Sequence, residues 1–226
     1  MLNAKQLTGY DDSHVLPVDE LGIQLHPLVA QAFLALKAMV ADEGIELEAV
    51  SAFRSFATQC GIWNAKYRGE RPILDADGVE LEHSILNKDE LVATILRWSA
   101  LPGASRHHWG SDLDVIDRAA VPEGYRIRLV KEEFTSDGVF WKLAEWLDEH
   151  LRQTDFYRPY LGLNDGFQSE PWHLSFAPVA TQALQSLTVA ILEDALAESD
   201  VLGLEAVSPR LAEIFAQYVL NVSDPP

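Results

Sequence analysis

The chain contains 226 residues, of which 48% are hydrophobic and 23% are charged. This composition is typical of a folded globular protein with a sizeable core. Acidic residues outnumber basic residues by 35 to 17, and the formal net charge of -18 argues against nucleic acid or anionic lipid as a partner. Because Cys60 is the only cysteine, disulfides and multi-cysteine metal sites are excluded, and any metal must be held by histidine and carboxylate.

The amino-terminal sequence contains no basic region followed by an apolar stretch, and no uncharged apolar run reaches the roughly 18 residues that a membrane span needs. We therefore expect a cytoplasmic protein with no membrane insertion, and export by another route is the alternative. Composition leaves the oligomeric state open.

In the first half of the chain, hydrophobic periodicity predicts a helix over 27–43 and then a strand over 45–53. The strand ends beside Arg54, and a second helix follows with Ser55 as its N-cap. Turn-forming residues between 70 and 82 indicate an irregular insertion, for which a substrate-covering loop is one interpretation.

The second half continues the alternation of helices and strands. The predicted elements are a capped helix from Asn87, a strand over 111–117, an amphipathic helix over 138–153, a short strand over 170–177 and a helix over 179–198. The region 179–222 reads as a helical extension. Its apolar residues are expected to pack within the chain, with a dimer contact as the alternative; they include Leu184, Leu187, Ile191 and Leu192.

The segment SRHHWGSDLDV combines histidine and aspartate at a spacing that suits metal binding. His107 lies seven residues before Asp114, and Gly110 between them permits a tight bend from loop into strand. Asp112 and Asp114 alternate along the strand, so both side chains point to one face, about 6 to 7 Å apart. Such a pair requires a cation or water, and a solvated acidic face is the alternative.

A second segment, SEPWHLSF, places Glu170 three residues before His173 among apolar and aromatic residues. Burial of both polar groups without a function would be costly. Two histidines and one aspartate make three ligands, the usual number in a catalytic zinc site with a fourth position open to water. Glu170 would then be the base for that water.

Together, S-x-H-x-x-G-x-x-x-D and E-P-W-H resemble the zinc D-Ala-D-Ala carboxypeptidases and dipeptidases of the vancomycin-resistance type. These belong to a wider group with lysostaphin-type peptidases and the hedgehog domain. The resemblance implies one Zn²⁺ per chain, bound by His107, Asp114 and His173, with Glu170 as the catalytic base. It also implies an α+β fold with a small, mostly antiparallel sheet flanked by helices, which the order of elements permits.

A third block, SAFRSFATQ, is similar to the S-G-Y-R-S-x-x-x-Q segment of that family. The resemblance places Arg54 beside the scissile peptide, where it would stabilise the oxyanion or clamp the substrate, and it places Gln59 nearby as a further substrate-binding residue. An arginine at the end of a buried strand also needs an anionic partner. Ser105 matches a position associated with recognition of the substrate carboxylate; an ordinary turn residue is the alternative.

Asp112 departs from the carboxypeptidases, which usually have alanine there, and resembles the penicillin-insensitive murein endopeptidases. It is a candidate for orienting a ligand histidine or for interacting with His108. Trp172, within the E-P-W-H motif, is a further candidate for supporting the ligands.

We therefore expect a single metallopeptidase domain over 1–226, with catalytic motifs within 51–176. Its expected function is hydrolysis of a bond next to a D-amino acid in peptidoglycan stem peptides or muropeptides, as a D-alanyl-D-alanine carboxypeptidase. A murein endopeptidase or L-alanyl-D-glutamate peptidase is the alternative with the same chemistry. A zinc-bearing binding domain without catalysis is the alternative of another class, against which the presence of Glu170 and Arg54 argues.

Overall fold

The computed structural model describes residues 1–162 and 165–225. Its strands are β1 (Leu16–Val18), β2 (Ile23–Leu25), β3 (Leu47–Ser51), β4 (Ile73–Leu74), β5 (Glu80–Leu81), β6 (Asp112–Asp117), β7 (Phe156–Tyr157) and β8 (His173–Phe176). Its α-helices are α1 (Ala4–Leu7), α2 (Pro27–Ala41), α3 (Phe56–Tyr67), α4 (Lys88–Leu96), α5 (Trp141–His150), α6 (Ala177–Ser186), α7 (Val189–Ala197), α8 (Leu204–Val207) and α9 (Leu211–Ile214).

A four-stranded sheet with the order β3-β6-β8-β7 forms the centre of the fold. Each neighbouring pair in this sheet is antiparallel. The strands β1 and β2 form a separate pair, as do β4 and β5. The expected α+β fold with a small antiparallel sheet is therefore confirmed.

One face of the central sheet is apolar because alternate side chains of each strand point to the same side. Leu113 and Val115 on β6 and Leu174 on β8 are fully buried in a core that also contains residues of α2 and α5. Burial of this face fixes the strand register, because a slip of one residue would carry these side chains to the opposite face.

The opposite face of the sheet carries polar side chains that are also buried. Asp112 and Asp114 on β6 and His173 and Ser175 on β8 are each less than 5% exposed. Buried polar groups need hydrogen-bond or ionic partners. The sheet therefore has one face for packing and one face for chemistry.

A second apolar core joins α3 and α4 to the carboxy-terminal helices. The single helix predicted over 179–198 is wrong, because α6 and α7 are separated at Leu187 and Thr188. Leu187 has an extended backbone, and the Thr188 hydroxyl accepts a hydrogen bond from the backbone N–H of Ile191, which starts the new helix. Leu187 and Leu192 are buried in this core, and Leu184 and Ile191 pack against it.

Three further regions differ from the sequence prediction. The segment 70–82 contains the short β4–β5 pair, and α1, β1 and β2 precede the first predicted helix. The helix predicted over 138–153 begins at Trp141 and passes into a short 3₁₀ helix after His150. None of the described helices is long and apolar enough to cross a membrane.

Gly110 makes the bend that joins the SRHHW segment to β6. Its φ is +65°, in the left-handed region that favours glycine. A Cβ atom at this position would lie 2.3 Å from the Val15 Cγ1 atom. The close approach of the amino-terminal segment therefore requires glycine here as much as the bend does.

Candidate active site

The candidate site is built on a row of side chains across three strands. In the registers of β6 with its neighbours, Asp114 lies opposite Ser51 of β3 on one side and opposite His173 of β8 on the other. A short 3₁₀ helix at Arg106–Trp109 directly precedes β6 and brings His107 to this row. The rings of His107 and His173 are 4.9 Å apart between centroids.

His107, Asp114 and His173 form a buried cluster that can hold a metal ion, since one ligand atom from each lies within 4.8 Å of the others. The Nδ1 atom of His107 is 2.8 Å from the carbonyl oxygen of Ala52, which leaves Nε2 facing Asp114 at 3.5 Å. The Nε2 atom of His173 is 3.0 Å from Asp112, which leaves Nδ1 facing Asp114 at 3.4 Å. Each ring therefore presents one nitrogen to the centre of the cluster.

Glu170 lies beside the cluster, with its Oε2 atom 3.1 Å from the Nδ1 atom of His173. Its backbone N–H donates to the carbonyl oxygen of Tyr160, and its carbonyl oxygen accepts from the N–H of His173. The residue is 9% exposed. The carboxylate is thus held at the cluster and still accessible from the cavity.

Arg54 follows β3 and turns its guanidinium toward the same row. Its Nη2 atom donates to Asp114 at 2.8 Å and to Ser51 at 2.7 Å, and its Nε atom also donates to Ser51. The Nη1 atom makes no hydrogen bond with the described residues, and the side chain is 25% exposed. Arg54 is therefore anchored beside the cluster, and its Nη1 atom has no partner in the described part of the chain.

Asp112 does not face the cavity but supports the cluster from behind. It accepts hydrogen bonds from Arg106 at 2.9 Å, from His173 at 3.0 Å and from the hydroxyl of Ser111. Burial disfavours its ionised form, yet Arg106 and His173 hold the pKa of Asp112 well below its usual range. The orientation of His173 therefore depends on a carboxylate that is itself fixed.

Arg106 extends this network across the sheet. Its Nη2 atom donates to the hydroxyl groups of Tyr157, at 2.8 Å, and Ser175, at 2.5 Å. Its guanidinium also lies 4.9 Å from the ring centroid of Trp109, a favourable cation–π geometry. With 2% exposure, Arg106 compensates the buried charge of Asp112.

His108 and Trp172 serve as structural supports. His108 Nδ1 is 2.7 Å from the carbonyl oxygen of Arg54, and its Nε2 accepts from the N–H of Gly103. Burial lowers the pKa of His108 to about 3, so the ring is neutral, and it makes no hydrogen bond to Asp112 among the described residues. Trp172 packs against Phe134 in the sheet core and also lines the cavity.

A cavity of about 240 Å³ opens in front of the cluster. Its lining includes Arg54, Ser105 and Glu170. Gln59, in contrast, does not line it, because the inward face of α3 directs its amide to the carbonyl oxygen of Ala100 at 2.8 Å. Ala100 is part of the wall, and Gln59 therefore supports the wall where a direct substrate contact was predicted.

Sequence reasoning missed three cationic residues that line the cavity, Lys66, Arg106 and Arg128. Arg106 stands next to His107, but nothing in the sequence pairs it with Asp112. Lys66 lies seven residues after Gln59 in α3 and therefore shares its helix face. That spacing is a signal that could have identified Lys66.

The cavity wall formed by Arg128, Leu129 and Val130 was also missed. Leu129 has a φ of +53°, a strained conformation for a branched side chain. The buried Glu133 carboxylate holds this loop by accepting hydrogen bonds from the backbone N–H groups of Arg128 and Val130.

The family model for VanY, described as D-alanyl-D-alanine carboxypeptidase, matches residues 22–179. The match covers more than half of the chain, and the chain belongs to this family. The protein is accordingly a metallopeptidase of the peptidoglycan-peptidase class.

Two proteins of Haemophilus influenzae, both described as uncharacterized, are similar in sequence. One is 34% identical over 122 residues, which cover 53% of this chain and 93% of the relative. The other is 37% identical over 103 residues, which cover 44% of this chain and 70% of the relative.

Three solved structures share the fold. VanYB in complex with D-alanine-D-alanine has a TM-score of 0.52 at 19% identity, covering 82% of this chain and 89% of that chain. A mutant of the vancomycin-resistance D,D-pentapeptidase VanY from a VanB-type cassette, in complex with Zn(II), has a TM-score of 0.50 at 20% identity, covering 74% and 82%. The D,D-dipeptidase VanXYg with a D-Ala-D-Ala phosphinate analog has a TM-score of 0.50 at 17% identity, covering 89% and 67%.

The buried pair of Asp112 and Arg106 predicts a large loss of stability in Asp112→Ala. The substitution leaves a buried guanidinium without its carboxylate, which costs about 3 to 5 kcal/mol. The matched control is Glu48→Ala, since Glu48 pairs with Arg118 at the surface and an exposed pair contributes about 0 to 1 kcal/mol. Urea unfolding of the metal-free proteins measures both changes, and equal losses would contradict the assignment.

Proposed function

We propose that the protein is a zinc-dependent D-alanyl-D-alanine carboxypeptidase that acts on peptidoglycan stem peptides or their soluble fragments. The observation that carries this proposal is the cluster of His107, Asp114 and His173 with Glu170 beside it, at the base of a cavity that holds cationic groups. Membership of the VanY family supports it, as does the fold shared with VanYB in complex with D-alanine-D-alanine.

The donor set fits a zinc ion. Two imidazole nitrogens and one carboxylate are ligands that Zn²⁺ accepts, and three protein ligands are usual in catalytic sites. The second nitrogen of each ring is engaged by an oxygen acceptor, Ala52 for His107 and Asp112 for His173, as is typical of metal-binding histidines. When bound, zinc acts as a Lewis acid and lowers the pKa of water to about 7.

The residues of the chain have separable roles in hydrolysis. The Glu170 carboxylate takes a proton from the attacking water and delivers it to the leaving amine. Arg54, anchored by Asp114 and Ser51, directs its free Nη1 atom to the oxygen of the scissile carbonyl, where negative charge develops. The hydroxyl of Ser105, in the cavity wall, is available to bind the substrate.

The endopeptidase alternative depended on Asp112. This residue is absent from the cavity wall, and Arg106, Ser111 and His173 occupy its carboxylate. Support of His173 therefore accounts for a carboxylate at this position without requiring an endopeptidase function.

We expect one tightly bound zinc ion per chain, because three buried ligands converge on one point. His107→Ala, Asp114→Ala or His173→Ala should each strongly reduce the zinc content, whereas His108→Ala should retain it. Elemental analysis of the purified proteins measures the stoichiometry. Retention by His173→Ala together with loss in His108→Ala would make the ligand assignment wrong.

Replacement of Glu170 by glutamine should remove activity without removing zinc. The amide cannot accept the proton of the attacking water, and general acid–base catalysis contributes about 100- to 10,000-fold. Turnover of a peptide that ends in D-Ala-D-Ala, measured beside zinc content, separates catalysis from metal binding. An active, zinc-loaded Glu170→Gln protein would transfer the role of base to another group.

The wild-type protein should release the terminal D-alanine from synthetic peptides that end in D-Ala-D-Ala, and amidation of that terminus should sharply reduce turnover. Mass spectrometry of the products identifies the bond that is cleaved, and muropeptides extend the test to natural fragments. Cleavage of amidated or internally extended peptides as fast as the free acid would instead support a murein endopeptidase or an L-alanyl-D-glutamate peptidase.

A further inference from the structure

Lys66 is a cation in the wall of the cavity that the mechanism above does not use. It lies near the end of α3, and its side chain lines the same cavity as Glu170 and Arg54. Within the described ranges 1–162 and 165–225, its ammonium group forms no hydrogen bond and no close ion pair. Because the protein carries a net charge of -18, acidic partners are plentiful elsewhere on the chain, and an unpaired lysine here requires an explanation.

The surroundings of Lys66 favour an anion from outside the chain. Burial lowers the pKa of Lys66 to about 8; Glu170 opposes this effect, whereas Arg71 and Arg54 add to it. The ammonium group therefore remains largely protonated at neutral pH, in a place where its charge is poorly solvated. A partly buried charge without a partner is unfavourable, and an anionic ligand in the cavity would relieve this cost.

Two of the other three cations in the cavity wall are already committed to buried acceptors, and the third, Arg128, is 61% exposed and lies 4.0 Å from Glu133. Arg54 donates to Asp114 and Ser51, and Arg106 donates to Asp112, Tyr157 and Ser175. Neither guanidinium can turn as a whole to a substrate carboxylate without breaking these hydrogen bonds; only the Nη1 atoms are uncommitted, and that of Arg106 is buried without a hydrogen-bond partner among the described residues. Lys66 can, because its ammonium group gives up no hydrogen bond within the described part of the chain.

The reaction defines where such an anion lies. In a carboxypeptidase substrate the terminal α-carboxylate belongs to the same residue as the amide nitrogen of the scissile bond. The cation that binds this carboxylate must therefore share the cavity with the catalytic base. Lys66 meets this requirement, because it lines the same cavity as Glu170. We propose that Lys66 binds the terminal α-carboxylate of the peptide substrate and thereby sets the preference for a free acid; this inference rests on the proposed carboxypeptidase function.

The substitution Lys66→Met provides the test, because methionine keeps an unbranched side chain and removes only the charge. The variant should fold at least as well as the wild type, since it removes the desolvation cost of a partly buried ammonium. Binding of N-acetyl-D-Ala-D-Ala and of its C-terminal amide is measured by calorimetry on zinc-loaded Glu170→Gln protein, with and without Lys66→Met. Turnover of both peptides is measured with Glu170 present. Lys88→Met, at an exposed lysine of α4, is the matched control.

We expect Lys66→Met to weaken binding and turnover of the free acid by about 10- to 100-fold, the range of a hydrogen bond to a charged group. The amide should change little, and Lys88→Met should leave both peptides unaffected. An equal fall for the acid and the amide would leave the preference for the acid unchanged and would overturn the proposal. Lys66 would then act through Glu170 and not through the carboxylate of the substrate. If the wild type hydrolyses neither peptide, the carboxypeptidase function fails, and calorimetry still decides the carboxylate site.

Discussion

The antiparallel register of β6 between β3 and β8 is the constraint on which the site depends. It sets Asp114 opposite both Ser51 and His173, so that ligands far apart in the chain meet in one row. The apolar side chains on the reverse face enforce this register, because Leu113 and Leu174 are fully buried there and a slipped strand would expose them. Packing on one face of the sheet therefore determines the chemistry on the other.

This arrangement has a desolvation cost, because the polar side chains of this face are almost entirely buried. Asp112 and Arg106 meet that cost together, because each compensates the buried charge of the other and both make hydrogen bonds that hold their geometry. A buried ion pair is rarely a net gain in stability. Its benefit here is that His173 is held in one orientation, with one ring nitrogen left for the cluster.

The cavity reverses the electrostatic character of the chain. A protein with a net charge of -18 places Arg54, Lys66 and Arg128 around the cavity in front of the cluster. Such a concentration of cations suits a substrate whose recognised end is a carboxylate, since opposite charges in a desolvated recess attract more strongly than at the surface. The acidic exterior repels anions, so the cationic recess is the favourable place for an anionic group to bind.

The sequence by itself determined the chemistry-bearing residues and the class of fold. The spacing of His107, Gly110 and Asp114, and of Glu170 and His173, follows from local rules of turns and strands, and such rules can be read from a linear chain. Only the tertiary structure decided how Asp112 pairs with Arg106, why Gln59 stands behind the wall, and that Lys66 reaches the cavity. These contacts depend on strand register and helix packing, and both arise from burial across distant segments of the chain. The break between α6 and α7 was missed for a local reason, because the hydrophobic periodicity continues through Leu187 and the N-cap Thr188.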